Sequence, residues 1–446
     1  MRRTSFPLLV ASSLLLAVLA GAETRPRYGG TLHVALRAAP ASLEPSDQGA
    51  VDLVSLIYDT LITVDQRGQS QPGLATSWQA DPGNQRWRFL LRSGVTFSDG
   101  KPLTADSVAA SLRIANASWK VFTESGAVVV ERDSPAPYLP AELALPRNSI
   151  VKRESGKEIG TGPFVVSQWV PSKELVLAAR ENYWDGRPFL DSIEVDLGKS
   201  FRDQAVALDL GKAQVIEIAP EQARRAGIES RNVTKSAPAE LMALVFARPS
   251  GSAQEQQLRD AFAFSIDRES LNKVVLQGGG DPAGGLLPDW MTGYEFLFPS
   301  QMDLTRAREA RAEVPHANVW TLGVDPNDSV ERVVAERVVL NADEAGLRVQ
   351  LAPGNTADMR LLRIPLASLE VHVALNELAA ALGLPQPHFG SDSIDDVYVA
   401  EKTLLQSRQV IPLLYSPHEW AVAGEVRNWA ATLGGKWRLP DIWVYP

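Results

Sequence analysis

The sequence predicts an α/β protein divided into two or three domains. Its 446 residues exceed what a single hydrophobic core usually organises. The plainest fold signal lies in region 319–351, where an apolar strand, a helix and an alternating strand follow one another. Such a unit places two parallel strands in one sheet, so we expect a mixed sheet.

The first 22 residues have the pattern of a secretory signal peptide. Two arginines precede an apolar run over residues 6–19, and Ala20-Gly21-Ala22 offers a small-residue cleavage site. The run is shorter than the roughly 20 residues that a membrane span needs, which disfavours an uncleaved anchor. Phe6 sits one place later than a twin-arginine signal would put it, so Sec export is favoured.

Composition excludes several classes of protein. The chain has no cysteine, so it carries neither a disulfide nor the N-terminal cysteine that a lipoprotein needs for its lipid. Its formal net charge is −9 and it has no basic stretch. Nucleic acid and anionic lipid are therefore not expected as partners.

Further elements are predicted from hydrophobic period and from cap residues. Strands are expected at 31–36, 86–92, 164–169 and 175–177, where apolar residues alternate or cluster between turn residues. Helices are expected at 51–61 and 366–384 from their apolar spacing. Four more helices are predicted from their N-cap residues, which are Thr104, Ser252, Asp267 and Asp328.

No motif points to catalysis or to a bound metal. The five histidines, His33, His316, His372, His388 and His418, form no H-E-x-x-H pair, and zinc is disfavoured without cysteine. The glycines at 278–280 and 284–285 lack the lysine of a phosphate-binding loop, and the acidic group at 392–396 lacks calcium-loop spacing. We expect no catalytic residue, no metal site and no cofactor, and so a protein that is not an enzyme.

Six segments carry a resemblance to a known family. They are 28–32 (YGGTL), 72–78 (PGLATSW), 89–108 (FLLRSGVTFSDGKPLTADSV), 160–164 (GTGPF), 182–191 (NYWDGRPFLD) and 264–268 (FSIDR). In this order they resemble the family 5 extracellular solute-binding proteins, which are the dipeptide, oligopeptide and nickel-binding receptors of ABC importers.

The resemblance implies a periplasmic-binding-protein fold of two α/β lobes, type II-like, with an extra subdomain on the first lobe. Lobe I is then expected at 23–50, 158–245 and 420–446, the subdomain at 51–157 and lobe II at 246–419. It further implies a monomeric periplasmic receptor that closes over a peptide or peptide-like solute and docks on an ABC permease in the inner membrane.

The sequence departs from the family pattern where peptide receptors anchor their ligand. The acidic D-Y-x-D-P segment that follows an aromatic residue is missing, and residues 360–366 (RLLRIPL) stand in its place. Arginine there would attract a carboxylate or a phosphate. The region between residues 111 and 128 is also short for the family.

These departures leave the ligand and the function open to alternatives. Peptide capture is the default expectation, and a periplasmic sensor or chaperone-like protein on the same fold is the alternative, with an exported hydrolase third. The candidate ligand contacts are Glu44, Ser46, Trp290, Arg363, Tyr415 and Trp420. Glu44 would meet a cation and Arg363 an anion, and the aromatic residues would form walls.

Overall fold

A computed structural model describes most of the chain after the N-terminal segment. The described residues are 26–219, 232–316, 319–325, 328–353, 356–430, 437 and 441–445. The predicted signal peptide, 1–22, lies outside them.

Strands are labelled in chain order. They are β1 (Thr31–Ala35), β2 (Ile62–Val64), β3 (Ser70–Pro72), β4 (Ala75–Ala80), β5 (Arg86–Leu91), β6 (Lys120–Glu124), β7 (Ala127–Glu131), β8 (Lys152–Glu154), β9 (Lys157–Ile159), β10 (Phe164–Val170), β11 (Glu174–Ala179), β12 (Ser192–Asp196), β13 (Val215–Glu217), β14 (Asn232–Phe246), β15 (Asp281–Pro282), β16 (Val319–Val324), β17 (Arg348–Pro353), β18 (Met359–Pro365), β19 (Val410–Val422), β20 (Val426–Arg427) and β21 (Trp443–Val444).

Helices are labelled in the same way. They are α1 (Val51–Ile57), α2 (Ala105–Ala115), α3 (Leu139–Glu142), α4 (Phe201–Asp209), α5 (Ala253–Ser265), α6 (Arg268–Val275), α7 (Asp289–Thr292), α8 (Leu304–Ala312), α9 (Ser329–Glu344), α10 (Val371–Ala381) and α11 (Ile394–Leu405). Within the described ranges, no helix has both the length and the apolar character to cross a membrane.

The predicted N-caps and the parallel strand pair are confirmed. The side chains of Thr104, Ser252, Asp267 and Asp328 each accept backbone N–H groups in the first turn of α2, α5, α6 and α9. Strand β16 pairs in parallel with β17 and with β18, so the sheet is mixed. Helix α10 begins at residue 371 and not at 366, because the N–H of Leu366 still bonds the carbonyl of Ala239 in the sheet.

One sheet runs through both lobes in the order β10-β11-β12-β1-β13-β19-β14-β18-β16-β17, and β15 pairs with β19 at its side. Two long strands, β14 and β19, cross from one lobe to the other. Their register shifts around Pro238, which faces Pro417. Proline donates no N–H to a ladder, so the sheet is weakened where the lobes meet.

Separate hydrophobic cores divide the described residues into lobe I (26–57, 158–219, 420–430, 437 and 441–445), a subdomain (58–157) and lobe II (within 240–416), linked by 232–239 and 417–419. Tyr58 and Val151, at the two ends of the subdomain, pack in the core of lobe I. The subdomain holds the sheet β4-β5-β7-β6 and α2. Helix α1 was predicted to open the subdomain, and its buried residues, such as Val54, pack in the core of lobe I. Lobe I was predicted to extend to residue 245, and β14 enters lobe II near residue 240.

The joint between lobe I and the subdomain contains segments that carried the resemblance. The Asp59 carboxylate accepts hydrogen bonds from the hydroxyl of Tyr183 (3.0 Å) and the indole N–H of Trp184 (2.9 Å). Arg180 donates to the carbonyl oxygens of Thr161 (2.7 Å) and Thr96 (3.0 Å). The 160–164 and 182–191 segments therefore hold the subdomain against lobe I.

Candidate functional site

Two adjoining cavities lie between the lobes. The first has a volume of about 300 Å³ and is bordered by lobe I, the subdomain and lobe II. The second has a volume of about 460 Å³ and lies between the two lobes beside the crossing strands. Both are bordered by Ala38, Glu217, Glu240, His418 and Trp420, so they form one cleft.

The first cavity is mainly apolar. Its apolar walls come from all three parts of the molecule and are Leu36, Val51, Leu53, Leu145, Pro146, Pro365, Leu366 and Ala367. At this cavity Arg147 of the subdomain forms a two-pronged ion pair with Glu377 of lobe II, one bond of which measures 2.9 Å. A bidentate guanidinium–carboxylate pair fixes geometry as well as charge. The pair closes the cavity on the subdomain side.

A second contact brings the subdomain onto lobe II. The ring of Tyr138 stacks on that of His372 with 3.9 Å between centroids, and its hydroxyl donates to Asp392 at 2.7 Å. His372 and Glu377 both lie on α10. The subdomain therefore contacts helix α10 at two points. Because of these contacts, the lobes are closed over the cleft.

The second cavity is bordered by bonded charges from both lobes. Arg37 of lobe I donates to Asp328 of lobe II at 3.0 Å. Arg363 donates to Glu240 at 2.9 and 2.5 Å, and reaches Asp328 at 3.4 Å. Burial acts to raise the pKa of Glu240. The charges of Arg363 and His418, with the hydrogen bonds from Arg363 and Ser416, outweigh burial, so the pKa lies below its usual value.

Within the described part of the chain, three other carboxyl groups at the second cavity have no arginine bonded to them. Glu217 accepts only from amide groups, namely the backbone N–H of Arg37 at 2.5 Å and the side chain of Gln204 at 3.2 Å. Burial raises the pKa of Glu331 to about 6. Burial also raises the pKa of Glu419 to about 7, opposed by Lys235.

Two buried polar atoms of β19 lack partners. Among the described residues, none forms a hydrogen bond with Nε1 of Trp420 or with Oε2 of Glu419. Trp420 is only 2% exposed and borders both cavities. Its ring packs against Trp429 and Trp437 of lobe I. The indole nitrogens of Trp429 and Trp437 also lack partners among the described residues, so the unpaired N–H is a feature of this cluster of rings, and Trp420 offers the cleft an apolar wall.

Of the six predicted contacts, Arg363 and Trp420 border the cleft. Arg363 was expected to meet an anion of the ligand, and in the structure Glu240 and Asp328 supply that anion. Trp420 borders both cavities, and its contact with a ligand stays a prediction.

The other four residues have different surroundings. Glu44 accepts from Arg153 at 2.6 Å, and Ser46 is exposed beside Pro45, which borders the first cavity. Trp290 donates its indole N–H to the carbonyl of Pro238 at 2.9 Å. Tyr415 is fully buried, and its hydroxyl donates to the carbonyl of Leu286. None of these four is among the described residues that border the cavities.

Several cleft residues were missed from the sequence. Arg37, Glu217 and Asp328 follow the carboxyl ends of β1, β13 and β16, which are parallel to a neighbouring strand. Ligands of open α/β sheets bind at those ends. Arg147 and Glu377 carry no such signal, because their pairing depends on how the subdomain meets lobe II. In the described part of the chain, no group of three or more histidines or carboxylates is arranged to hold a metal ion.

Comparisons with known proteins agree on one family. The model described as "Bacterial extracellular solute-binding proteins, family 5 Middle" matches residues 69–371, which is more than half of the chain. A curated relative, the nickel-binding periplasmic protein of Escherichia coli, is 25% identical over 358 residues, covering 72% of this chain and 66% of the relative. The protein YhjP of Bacillus subtilis is 29% identical over 325 residues, covering 69% of this chain and 52% of the relative. The chain therefore spans between half and two thirds of these relatives.

Solved structures share the fold. The oligopeptide-binding protein AppA of Bacillus subtilis, in complex with a nonapeptide, superposes with a TM-score of 0.79 at 16% identity, covering 95% of this chain and 100% of AppA. NikA of Staphylococcus aureus superposes with a TM-score of 0.79 at 16% identity, covering 93% of this chain and 99% of NikA. Both likenesses extend over the lobes and the crossing strands described above.

Proposed function

Because this chain belongs to the bacterial extracellular solute-binding proteins of family 5, we propose that it captures a small solute between its lobes and delivers it to the permease of an ABC importer. The observation that carries the proposal is the pair of adjoining cavities bordered by both lobes and the subdomain. A solute that contacts both lobes favours the closed state, and that state is what a permease can distinguish from the open one.

The crossing strands supply the hinge. The ladder between β14 and β19 is irregular at Pro238 and Pro417, so it bends there at small cost in hydrogen bonds. On closure, the Arg37–Asp328 and Arg147–Glu377 pairs join parts that separate when the cleft opens. Their modest strength suits a receptor that must release its solute.

The protein acts in the periplasm as a monomer in this proposal. Export by the predicted signal peptide at 1–22 brings it there. Two ion pairs, Arg37–Asp328 and Arg147–Glu377, join parts of the molecule across the cleft, which suits reversible capture and release of a solute. The curated nickel-binding relative and the peptide-bound AppA make a peptide or another small solute the starting expectation.

The test is capture of a solute by the purified mature protein. Native mass spectrometry should find a solute retained from the periplasm, and thermal-shift screening with peptides, sugars and organic acids should find one that stabilises. A solute at about 100 times its Kd stabilises the folded form by about 2.7 kcal/mol.

A variant that fills the cavity can be compared with a matched control variant on the surface. Ala38 borders both cavities, and Ala110 is exposed on α2 of the subdomain. Ala38→Trp should abolish the solute-dependent shift, while Ala110→Trp should keep it. Equal shifts in both variants, or no retained and no stabilising solute in the parent protein, would refute capture in this cleft.

A further inference from the structure

Among the residues that the structure describes, the side chains that border the cleft carry an excess of negative charge. Its carboxyl groups are Asp52, Glu217, Glu240, Asp328, Glu331, Glu377 and Glu419, and its arginines are Arg37, Arg147 and Arg363. Among the described residues that border the cavities there is no lysine and no other arginine. A cleft lined by one sign of charge attracts a ligand of the other sign.

Every one of these arginines already bonds a carboxylate of the protein. Arg37 bonds Asp328, and Arg363 bonds Glu240 through Nε at 2.9 Å and Nη2 at 2.5 Å. Arg147 holds both oxygens of Glu377. A carboxylate on the ligand would have to displace one of these partners and leave it charged and unpaired, which is strongly unfavourable in a partly buried site.

The second cavity offers acceptors for a cation. Glu331 is half-buried on the first turn of α9. Within the described contacts, its carboxyl group accepts a hydrogen bond from the backbone of Asp325 and none from a cation. Glu217 likewise accepts only amide donors within the described contacts. An ammonium group has three donors and no acceptor, so it satisfies such carboxylates directly.

Trp420 adds an aromatic wall to both cavities. Its side chain is 2% exposed, borders both cavities and has an indole N–H without a partner among the described residues. Because the indole nitrogen has almost no accessible surface, the part of Trp420 that a ligand meets is apolar. The apolar walls of the first cavity then receive the uncharged body of the same ligand.

We propose that the cleft selects an organic amine that has an apolar body and no carboxylate. The inference rests on the proposed function and names the chemical class of its solute. It sets this cleft apart from one built for a free zwitterionic peptide, whose terminal carboxylate finds no arginine on the described walls that is not already bonded to a carboxylate.

Matched ligands that differ by one carboxylate test the inference. Titration calorimetry of the intact mature protein would compare tyrosine with tyrosinamide, and alanyl-tyrosine with its C-terminal amide. Each amide should bind at least about tenfold more tightly than its acid, because the acid brings an unpaired charge into the cleft. Equal or tighter binding of the acids would overturn the inference.

Matched variants locate the ammonium group. Glu331→Gln should weaken binding of the amides about three- to tenfold, the range expected for loss of one partly buried ionic hydrogen bond. Glu336→Gln, at an exposed position on the same helix, should leave it unchanged. An unchanged affinity in Glu331→Gln would remove that carboxylate from the site and overturn the assignment of the cation to the second cavity.

The outcomes separate the two proposals. If neither series binds but a carboxylate-bearing solute is retained or stabilises the protein, the ligand class is wrong and solute capture stands. If no solute of any class binds, both proposals fail.

Discussion

Replacing Gly160 by alanine should destabilise the protein through a clash with its own backbone. A Cβ built at Gly160 lies 2.0 Å from the carbonyl oxygen of Ile57 and 2.6 Å from Cδ1 of Tyr58, whereas real Cβ atoms essentially never come closer than 3.0 Å. The Ile57 carbonyl also accepts the N–H of Gly162 at 2.9 Å. The end of α1 must therefore move by about 1 Å within a packed core, where there is little space to accommodate it.

The expected loss follows from these two effects. Overpacking of a core costs about 1–3 kcal/mol, and weakening of the Gly162 hydrogen bond adds about 1 kcal/mol. A loss of about 2–4 kcal/mol lowers Tm by about 5–15 °C in a domain of this size. Circular dichroism or differential scanning fluorimetry of the purified variants would measure this shift.

Gly424→Ala is the control, since nothing lies within 4 Å of a Cβ built there and its φ is not in the left-handed region. Its Tm should stay within about 1 °C of the parent value. A Gly160→Ala protein that melts with the parent would refute the role given to the close approach. A lower solute affinity in folded Gly160→Ala at unchanged Tm would place residue 160 in binding and contradict its structural assignment.

Two further predictions concern lobe II and the closed cleft. Burial raises the pKa of Glu401 from 4.5 to about 7, against hydrogen bonds from Tyr294 and the 286–287 backbone, so the folded state favours the protonated carboxyl. The contribution of this carboxyl to stability is then greatest below about pH 4.5 and falls by about 3 kcal/mol as pH rises through 7. Urea unfolding across that range should show this fall, and Glu401→Gln should flatten it; an unchanged slope would contradict the assignment. Arg147→Gln and Glu377→Gln should each weaken solute binding about two- to tenfold by loosening the closed state, and the double variant should be no weaker than the singles. Additive losses, measured by calorimetry, would show that the two residues act separately.

Local chemistry explains why the helix starts were predictable. An N-cap needs only a short polar side chain and the first turn that follows it, so Thr104, Ser252, Asp267 and Asp328 could be assigned without tertiary information. The start of α10 needed more. The apolar spacing from Leu366 onward continues the helical period, but the pairing of Leu366 with the sheet decides where the helix begins.

Strand geometry explains why Tyr415, predicted as a wall of the cleft, does not border the cavities. Tyr415 and Trp420 were assigned together as walls, yet an odd separation on one strand places side chains on opposite faces. In the structure Tyr415 packs in the core of lobe II and Trp420 borders the cavities. Strand β13 has only three residues, too few for a periodic pattern, so Glu217 could not be placed at a strand end.

The residues that identify the family and the residues that border the cleft are largely different sets. Gly160, Tyr183 and Trp184 hold the subdomain to lobe I, a requirement that does not change with the solute. Arg37 and Glu331 lie outside the six recognisable segments and are brought to one cavity by strand order and lobe closure. The fold can therefore be predicted from the sequence, because the contacts that hold its parts together are local or depend on glycine. The chemistry of the ligand cannot be predicted in the same way, since it depends on which arginines of the cleft are bonded to carboxylates of the protein.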